Sequence, residues 1–266
     1  PLLRGVLDED TYKKIYDDLD DTVVNDGVDK SKFKGYYTVA LFGIDSRDDK
    51  MDAGVNSDSI IIVSINQDTG KIVMSSIYRD TWLNIPDEDG SSSERFRKIN
   101  SAFCTGGAQA AINTLNTNLD LNISDYITIN FEGLATIIDM LGGIDISITE
   151  DERYYINHYM DENMAVTGIK SSYVKKSGQV HLDGLQATAY CRIRYTAGND
   201  FKRASRQREV IMAIEEQAKK ADLATLTDVF NVAIDDVYTN IKTDDFMELL
   251  TNITKYRIVA EDGFPQ

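Results

Sequence analysis

Proline is scarce in this chain, with 3 in 266 residues, and there are only 2 cysteines, 2 histidines and 1 tryptophan. The near absence of proline, with no low-complexity block and no repeat at solenoid or propeller spacing, leaves ordinary globular architecture. No apolar run is long enough to span a bilayer. Positive charge is also short: 28 Lys and Arg stand against 44 Asp and Glu, for a formal net charge of -16. A general nucleic-acid binder needs extended positive potential, so that class is set aside and a small, focused polyanion is the more compatible ligand. HExxH, CxxC, GxSxG and Walker-type glycine loops are all missing, and the lone His158 and His181 carry no catalytic constellation. Cys104 and Cys191 either pair or remain two buried thiols, the second being preferred.

What is present is a substantial apolar content of 42%, enough to bury one sizeable core without disulfide or metal. Residues 1–35 read as an acid-rich leader in which Leu7, Tyr12, Ile15, Tyr16 and Leu19 suggest an accessory amphipathic helix or linker, and 36–266 read as the main domain. The chain begins at Pro1, so any signal or membrane anchor is expected upstream of it. Strands are expected at Tyr37 to Gly43, Ser59 to Ile65 and Lys71 to Ile77, the last two forming a hairpin around Gln67 to Gly70. Helical and strand signals then alternate: helix from Ala108 to Leu119, strand from Tyr126 to Asn130, helix from Glu132 to Leu141, strand from Ile144 to Ile148. Asp151 to Gly178 reads as an irregular polar insertion, Ala187 to Tyr195 as a strand, and Leu223 to Val232 and Asp244 to Tyr256 as closing helices. This order predicts an α/β fold, a mixed central β-sheet flanked by helices on both faces (α-β-α).

Arginine is concentrated where the chain can least be expected to need it. Arg192, Arg194, Arg203, Arg206 and Gln207 fall within sixteen residues of an acidic protein. Guanidinium forks match phosphate oxygens two at a time, so an anion site is the first reading and surface ion pairing the alternative. On a strand, Arg192 and Arg194 would share a face, with Ile193 turned away. Asp200 is a plausible helix cap, placing Arg203, Arg206 and Gln207 on the first turns of a helix whose N-terminus also favours anions. Asp45 follows the first strand and Asp58 precedes the second. Two carboxylates at neighbouring strand ends suit a magnesium ion completed by waters and phosphate oxygens, a solvated acidic loop being the alternative. Arg79 and Asp80 end the third strand, and Asn100 stands before a helix.

The blocks LFGIDSR, NSDSIIIVSINQDTGKIVMSSIYRDT, KINSAF, NFEGLATIIDMLGGIDI and GQVHLDGLQATAYCRIRY with DFKRASRQREV, in this order over about residues 36–218, resemble the LytR-CpsA-Psr family. The resemblance implies a membrane-anchored enzyme on the extracellular face of the cell. It would transfer a glycopolymer, of teichoic acid or capsular type, from a polyprenyl-pyrophosphate carrier to peptidoglycan and release polyprenyl phosphate. It places Asp45 and Asp58 at the family's Mg2+ carboxylates, and Arg79, Arg192, Arg194, Arg203 and Gln207 at positions that hold pyrophosphate or the active-site loop, with Arg206, Asp200 and Asp80 also on motif positions. Asn56 stands where the family usually has arginine and Tyr78 where it usually has proline, so either Arg47 supplies the lost phosphate contact from the same loop or the head group is gripped more weakly. Asp45 or Asp58 is the candidate to orient or deprotonate the acceptor hydroxyl. The lipid tail requires an apolar slot between sheet and helices, for which Leu134, Ile138, Val210 and Ile214 are candidates, with ordinary core packing as the alternative. A monomer with no nucleic-acid partner is expected. Two further functions remain open on these residues: a noncatalytic polyprenyl-phosphate binding protein and a pyrophosphatase acting on the carrier.

Overall fold

The computed structural model describes residues 22–25, 28–45, 54–85, 95–195 and 199–265. Two long strands, β1 (Tyr36–Ile44) and β2 (Ser57–Asn66), pair antiparallel and set its layers. Successive side chains of a strand alternate faces. Ala40, Phe42 and Ile44 of β1, with Ile60 and Ile62 of β2, enter one core cluster, while Leu41, Ile61, Val63 and Ile65 enter another on the opposite side. A sheet apolar on both faces has to be covered on both.

In chain order, β3 (Lys71–Ile77) is followed by a small hairpin of β4 (Trp82–Asn84) and β5 (Phe96–Lys98), then helix α1 (Asn100–Leu119). Next come β6 (Asp125–Ile129), α2 (Phe131–Met140), β7 (Ile144–Ile148), α3 (Glu150–Thr167) and β8 (Gly178–Leu182). Helices α4 (Gly184–Arg192), α5 (Asn199–Ala218) and α6 (Leu223–Asp236) precede β9 (Val237–Thr239), α7 (Thr243–Thr251) and β10 (Arg257–Phe264). The six-stranded sheet has the order β10-β3-β2-β1-β6-β9, with β6 parallel to β1 and β10 parallel to β3. The remaining neighbours are antiparallel, so the sheet is mixed, as expected.

Helix α1 covers one face: its Phe103, Ile112 and Leu115 are fully buried against Phe42 and the strands beside it. On the other face Ile211 and Met212 of α5 pack on Ile61 and Val63. A third cluster joins α2, the β7–β8 hairpin, α3, α4 and α5 around Ile138, Ile156, Leu185 and Val210. Among the described residues no helix is long and apolar enough to cross a membrane.

Four expectations are corrected. Of the segment 187–195, residues 187–192 belong to helix α4 rather than a strand, and the helix gives way to extended backbone at Ile193 (φ -61°, ψ 121°). Residues 184–191 are all buried, so the helix carries no amphipathic period to betray it. The polar insertion at 151–178 is opened by α3, whose start is fixed by a reciprocal capping box between Thr149 and Glu152. Helix α1 begins at Asn100 instead of Ala108, kinked where Gly106 and Gly107 (φ 63°) leave helical geometry. The last helix stops at Thr251 and is followed by a short 3-10 turn and by β10, which the sequence reading lacked. The leader helix proposed at Leu7 to Leu19 lies outside the described residues.

Candidate functional site: an arginine-rimmed apolar cavity

Between the sheet and helices α2 and α5 lies a cavity of about 440 Å3. Its walls are apolar: Leu41, Ile61, Ile127 and Ile129 from the strands face Leu134 and Ile137 of α2 and Val210, Ile211 and Ile214 of α5. Its charged lining residues, with Gln207, are gathered from four places in the chain. Asp45 follows β1, Asp58 is the second residue of β2, Arg192 and Arg194 come from the end of α4 and the segment beyond it, and Arg203 and Gln207 from the first turns of α5. Arg79, two residues past β3, reaches the same spot by bonding Asp58.

Asp58 is the hub. Its Oδ1 accepts from Nη1 of Arg79, its Oδ2 accepts from Nη2 of Arg194 at 3.1 Å, and its backbone carbonyl accepts from Nη2 of Arg203 at 3.1 Å. Asp200, inside the first turn of α5 and not capping it, lies 3.2 Å from Nη2 of Arg203 and 3.9 Å from Nε of Arg194. Three guanidinium groups thus converge on one aspartate, two at its carboxylate and one at its backbone carbonyl, and the Arg203 side chain is 5% exposed. Burial, followed by repulsion from Arg194, pulls the Arg203 pKa down. Nε of Arg79 and Nε of Arg203 are both buried and make no hydrogen bond among the described residues, although Asp80 Oδ1 lies 3.6 Å from Nε of Arg79 and Oδ1 of Asp200 is likewise buried without a hydrogen bond. Buried donors without partners are rare in folded proteins, and two at one arginine cluster mark a place for an anion.

Arg192 is held differently. Its Nη1 donates to Oδ1 of Asn163, its Nη2 stands 3.2 Å from Glu162, and its guanidinium carbon lies 5.1 Å from the ring centre of Phe131 and 5.2 Å from that of Tyr159. Two aromatic faces therefore fix its plane, each a cation–π contact. Tyr159, Glu162 and Asn163 escape the sequence reading because they belong to α3, which it treats as irregular; the spacing Thr149-x-x-Glu152 is the signal for that helix, and Phe131 opens α2.

Not every sequence candidate reaches the cavity. Arg206 is 3% exposed: its Nε bonds Glu152 at 2.8 Å, its Nη1 donates to the Ile193 carbonyl at 3.1 Å, and it does not line the cavity. It braces the turn that presents Arg192 and Arg194. Burial would raise Glu152, but bonds from the Thr149 N–H and from Arg206 outweigh it and hold that carboxyl low. Ile138 is fully buried in the cluster below α2, outside the cavity lining that Leu134, Val210 and Ile214 do reach. Arg47 lies outside the described residues. Asn56 is exposed just before β2, and the Tyr78 ring packs edge-on against Phe201 at 4.4 Å. Cys104 and Cys191 are both free, with burial pushing the Cys191 thiol up to about 12.

Among the described residues no three His, Cys, Asp or Glu side chains gather to hold a metal. The cavity lining does hold two hard carboxylates, Asp45 and Asp58, a donor set that fits magnesium only if phosphate oxygens and water complete it.

Fold and cavity define a class: an α-β-α domain with an apolar interior opening at a cluster of arginines. The LytR_cpsA_psr family profile matches residues 6–264, and this chain belongs to that family. It is 32% identical over 229 residues to the polyisoprenyl-teichoic acid–peptidoglycan teichoic acid transferase TagU of Oceanobacillus iheyensis, covering 83% of this chain and 64% of that protein. With the corresponding transferase TagV of Bacillus subtilis it shares 31% identity over 216 residues, 80% of this chain and 52% of that protein. The chain thus spans between half and two thirds of the length of these relatives. The crystal structure of protein gbs0355 from Streptococcus agalactiae superposes with a TM-score of 0.72 at 25% identity, covering 88% of this chain and 78% of the other.

Proposed function

We propose that this domain is a phosphotransferase that moves a glycopolymer of teichoic acid or capsular type from a polyprenyl-pyrophosphate carrier to a sugar hydroxyl of peptidoglycan. The observation that carries the reading is the pair of orphaned N–H groups on Arg79 and Arg203 beside an apolar cavity. A ligand that suits both must be an anion joined to a hydrocarbon. A lipid pyrophosphate is such a molecule, and the cavity volume lies in the range of ligand pockets, about 300–1,000 Å3. The transferase names of the relatives point to the same substrates.

Pyrophosphate oxygens would take over guanidinium donors that now serve Asp58, with Arg79, Arg194 and Arg203 sharing the load and Arg192 held by its two rings in the same cavity lining. Asp45 and Asp58 would hold Mg2+, which supplies charge neutralisation at the phosphoryl oxygens. The acceptor hydroxyl oxygen forms a bond to phosphorus, the anhydride bond to the polyprenyl phosphate breaks, and the hydroxyl proton passes to a carboxylate, Asp45 or Asp58. The arginines are preorganised where negative charge builds on the departing phosphate. The domain would work at the outer face of the membrane, where a lipid-linked donor and peptidoglycan meet.

Binding of undecaprenyl pyrophosphate, followed by native mass spectrometry, tests this reading. Leu134→Trp should fill the cavity and abolish lipid binding while inorganic pyrophosphate still binds; Arg79→Ala should weaken both. Lipid binding that survives Leu134→Trp unchanged would place the lipid elsewhere.

A further inference from the structure

A second concavity, of about 530 Å3, lies on the outer side of α3, away from the apolar cavity. Its floor is the helix face carrying Tyr154, Asn157 and His158, and its wall is the segment around Tyr173 and Lys175. That segment is tied across the helix by the Asn157 amide, which donates to the Val174 carbonyl at 2.9 Å and accepts from the Val174 N–H at 2.8 Å. The Tyr173 hydroxyl donates to Asp161 at 2.6 Å. Ile156 and Met160 of the same helix are fully buried, yet Tyr154 and Tyr173 are left 62% and 51% exposed. The Tyr154 and His158 rings are parallel to within 2°, their centres 6.5 Å apart.

Rings continue from this groove to the cavity. The ring of His158 is 5.8 Å from that of Tyr159, and the ring of Tyr155, the neighbour of Tyr154, is 6.1 Å from that of Tyr195. Tyr159 and Tyr195 both line the apolar cavity. Groove and cavity are thus adjacent faces of one helix, joined by aromatic side chains.

Charge decides what such a groove suits. Nε of Arg153 is bonded to Glu150 at 2.9 Å, and Lys175 is exposed at the rim. The groove's excess of positive charge is a single lysine, against the three arginines around Asp58. A polymer of phosphodiesters needs the larger surplus; uncharged sugar rings do not. A pyranose offers an apolar C–H face to an aromatic plane and hydroxyls to amides at its rim, and a tyrosine presents the matching apolar face and polar tip.

We infer that the groove formed by Tyr154, Asn157, His158 and Tyr173 is a binding site for the uncharged glycan backbone of the acceptor, leading it to the phosphoryl site past Tyr159 and Tyr195. The inference rests on the transferase reading for the identity of the acceptor. Its test needs neither lipid nor turnover, so either idea can fail alone.

The experiment is a titration of the protein with a β-1,4-linked N-acetylglucosamine tetramer, read by calorimetry and by the ring resonances of the tyrosines and His158. A parallel titration uses poly(glycerol phosphate). The tetramer should shift Tyr154, His158 and Tyr173, and Tyr154→Ala should weaken it about three- to tenfold with an unchanged melting temperature. Tyr173→Phe should keep most of the affinity because the ring remains, whereas Tyr173→Ala should lose it. Absence of tetramer binding, an unchanged affinity in Tyr154→Ala, or tighter binding of poly(glycerol phosphate) at the same rings would overturn the assignment.

Discussion

Nη2 of Arg194 stands 3.1 Å from Oδ2 of Asp58, a residue 136 positions earlier in the chain. The contact closes the arginine cluster onto the sheet. It also makes Asp58 the internal occupant of the anion site, competing with any phosphate for the same donors. Asp58→Asn should therefore have opposite effects on two measurements. Inorganic pyrophosphate, titrated without magnesium by calorimetry, should bind about tenfold or more tightly, because a like charge has gone. Magnesium-dependent transfer should fall by at least about tenfold, because a proposed ligand or base has gone.

Arg203 and Arg206 are both nearly buried and should differ in sign. Arg206 is fully engaged by Glu152 and the Ile193 carbonyl, so Arg206→Ala strands a carboxylate and should cost roughly 3–5 kcal/mol in denaturant unfolding. Arg203 carries an orphaned Nε beside other guanidinium groups. Arg203→Met should leave stability unchanged or raise it by roughly 1–2 kcal/mol, while lowering pyrophosphate affinity.

Gly184 opens α4 against α2 with no room to spare. A Cβ placed there would stand 2.0 Å from the Ala135 carbonyl oxygen, and backbone cannot yield as a side-chain tip can. Gly184→Ala should destabilise by about 1–3 kcal/mol and, by pushing α2 outward, weaken lipid binding more than pyrophosphate binding. Thermal unfolding and the two titrations check both parts.

His181 should titrate above its ordinary value. Asp145 bonds its Nδ1 at 2.9 Å and the Gly142 carbonyl lies 2.8 Å from its Nε2, both favouring the protonated ring. The folded pKa is raised, so the stabilisation is fully present below about pH 6.5 and is lost as pH rises through the folded value. An NMR titration should give a midpoint above 6.5, moving down in Asp145→Asn.

The inner strands β1, β2, β3 and β6 were legible because they alternate or run apolar between turns, whereas the edge strands β9 and β10 were not; the motif blocks pointed to Asp45, Asp58, Arg79, Arg194, Arg203 and Gln207. Helix α4 was not legible. Its residues Gly184 to Cys191 are buried on every side, polar Gln186 and Thr188 included, so no amphipathic period separates helix from strand, and the one local signal is the capping box Asp183-x-x-Gln186. The expected shared strand face of Arg192 and Arg194 was wrong in mechanism, since one ends a helix and the other follows an extended residue; both still line the cavity, with Ile193 buried between them. Arg206 shows the limit of spacing arguments. It sits one residue from Gln207, which lines the cavity, yet its partner Glu152 comes from a helix whose polar sequence concealed it.

The most direct measurement is product analysis of a purified reaction containing the protein, magnesium, a glycopolymer linked to polyprenyl pyrophosphate, and peptidoglycan oligomers. The account predicts a glycopolymer joined to peptidoglycan through a phosphodiester, polyprenyl phosphate in equal amount, and loss of both products in Arg79→Ala and Arg194→Ala. Polyprenyl phosphate released equally without acceptor would mean hydrolysis, and bound donor with no product would mean a carrier-binding protein. Full transfer by both arginine variants would contradict the site itself.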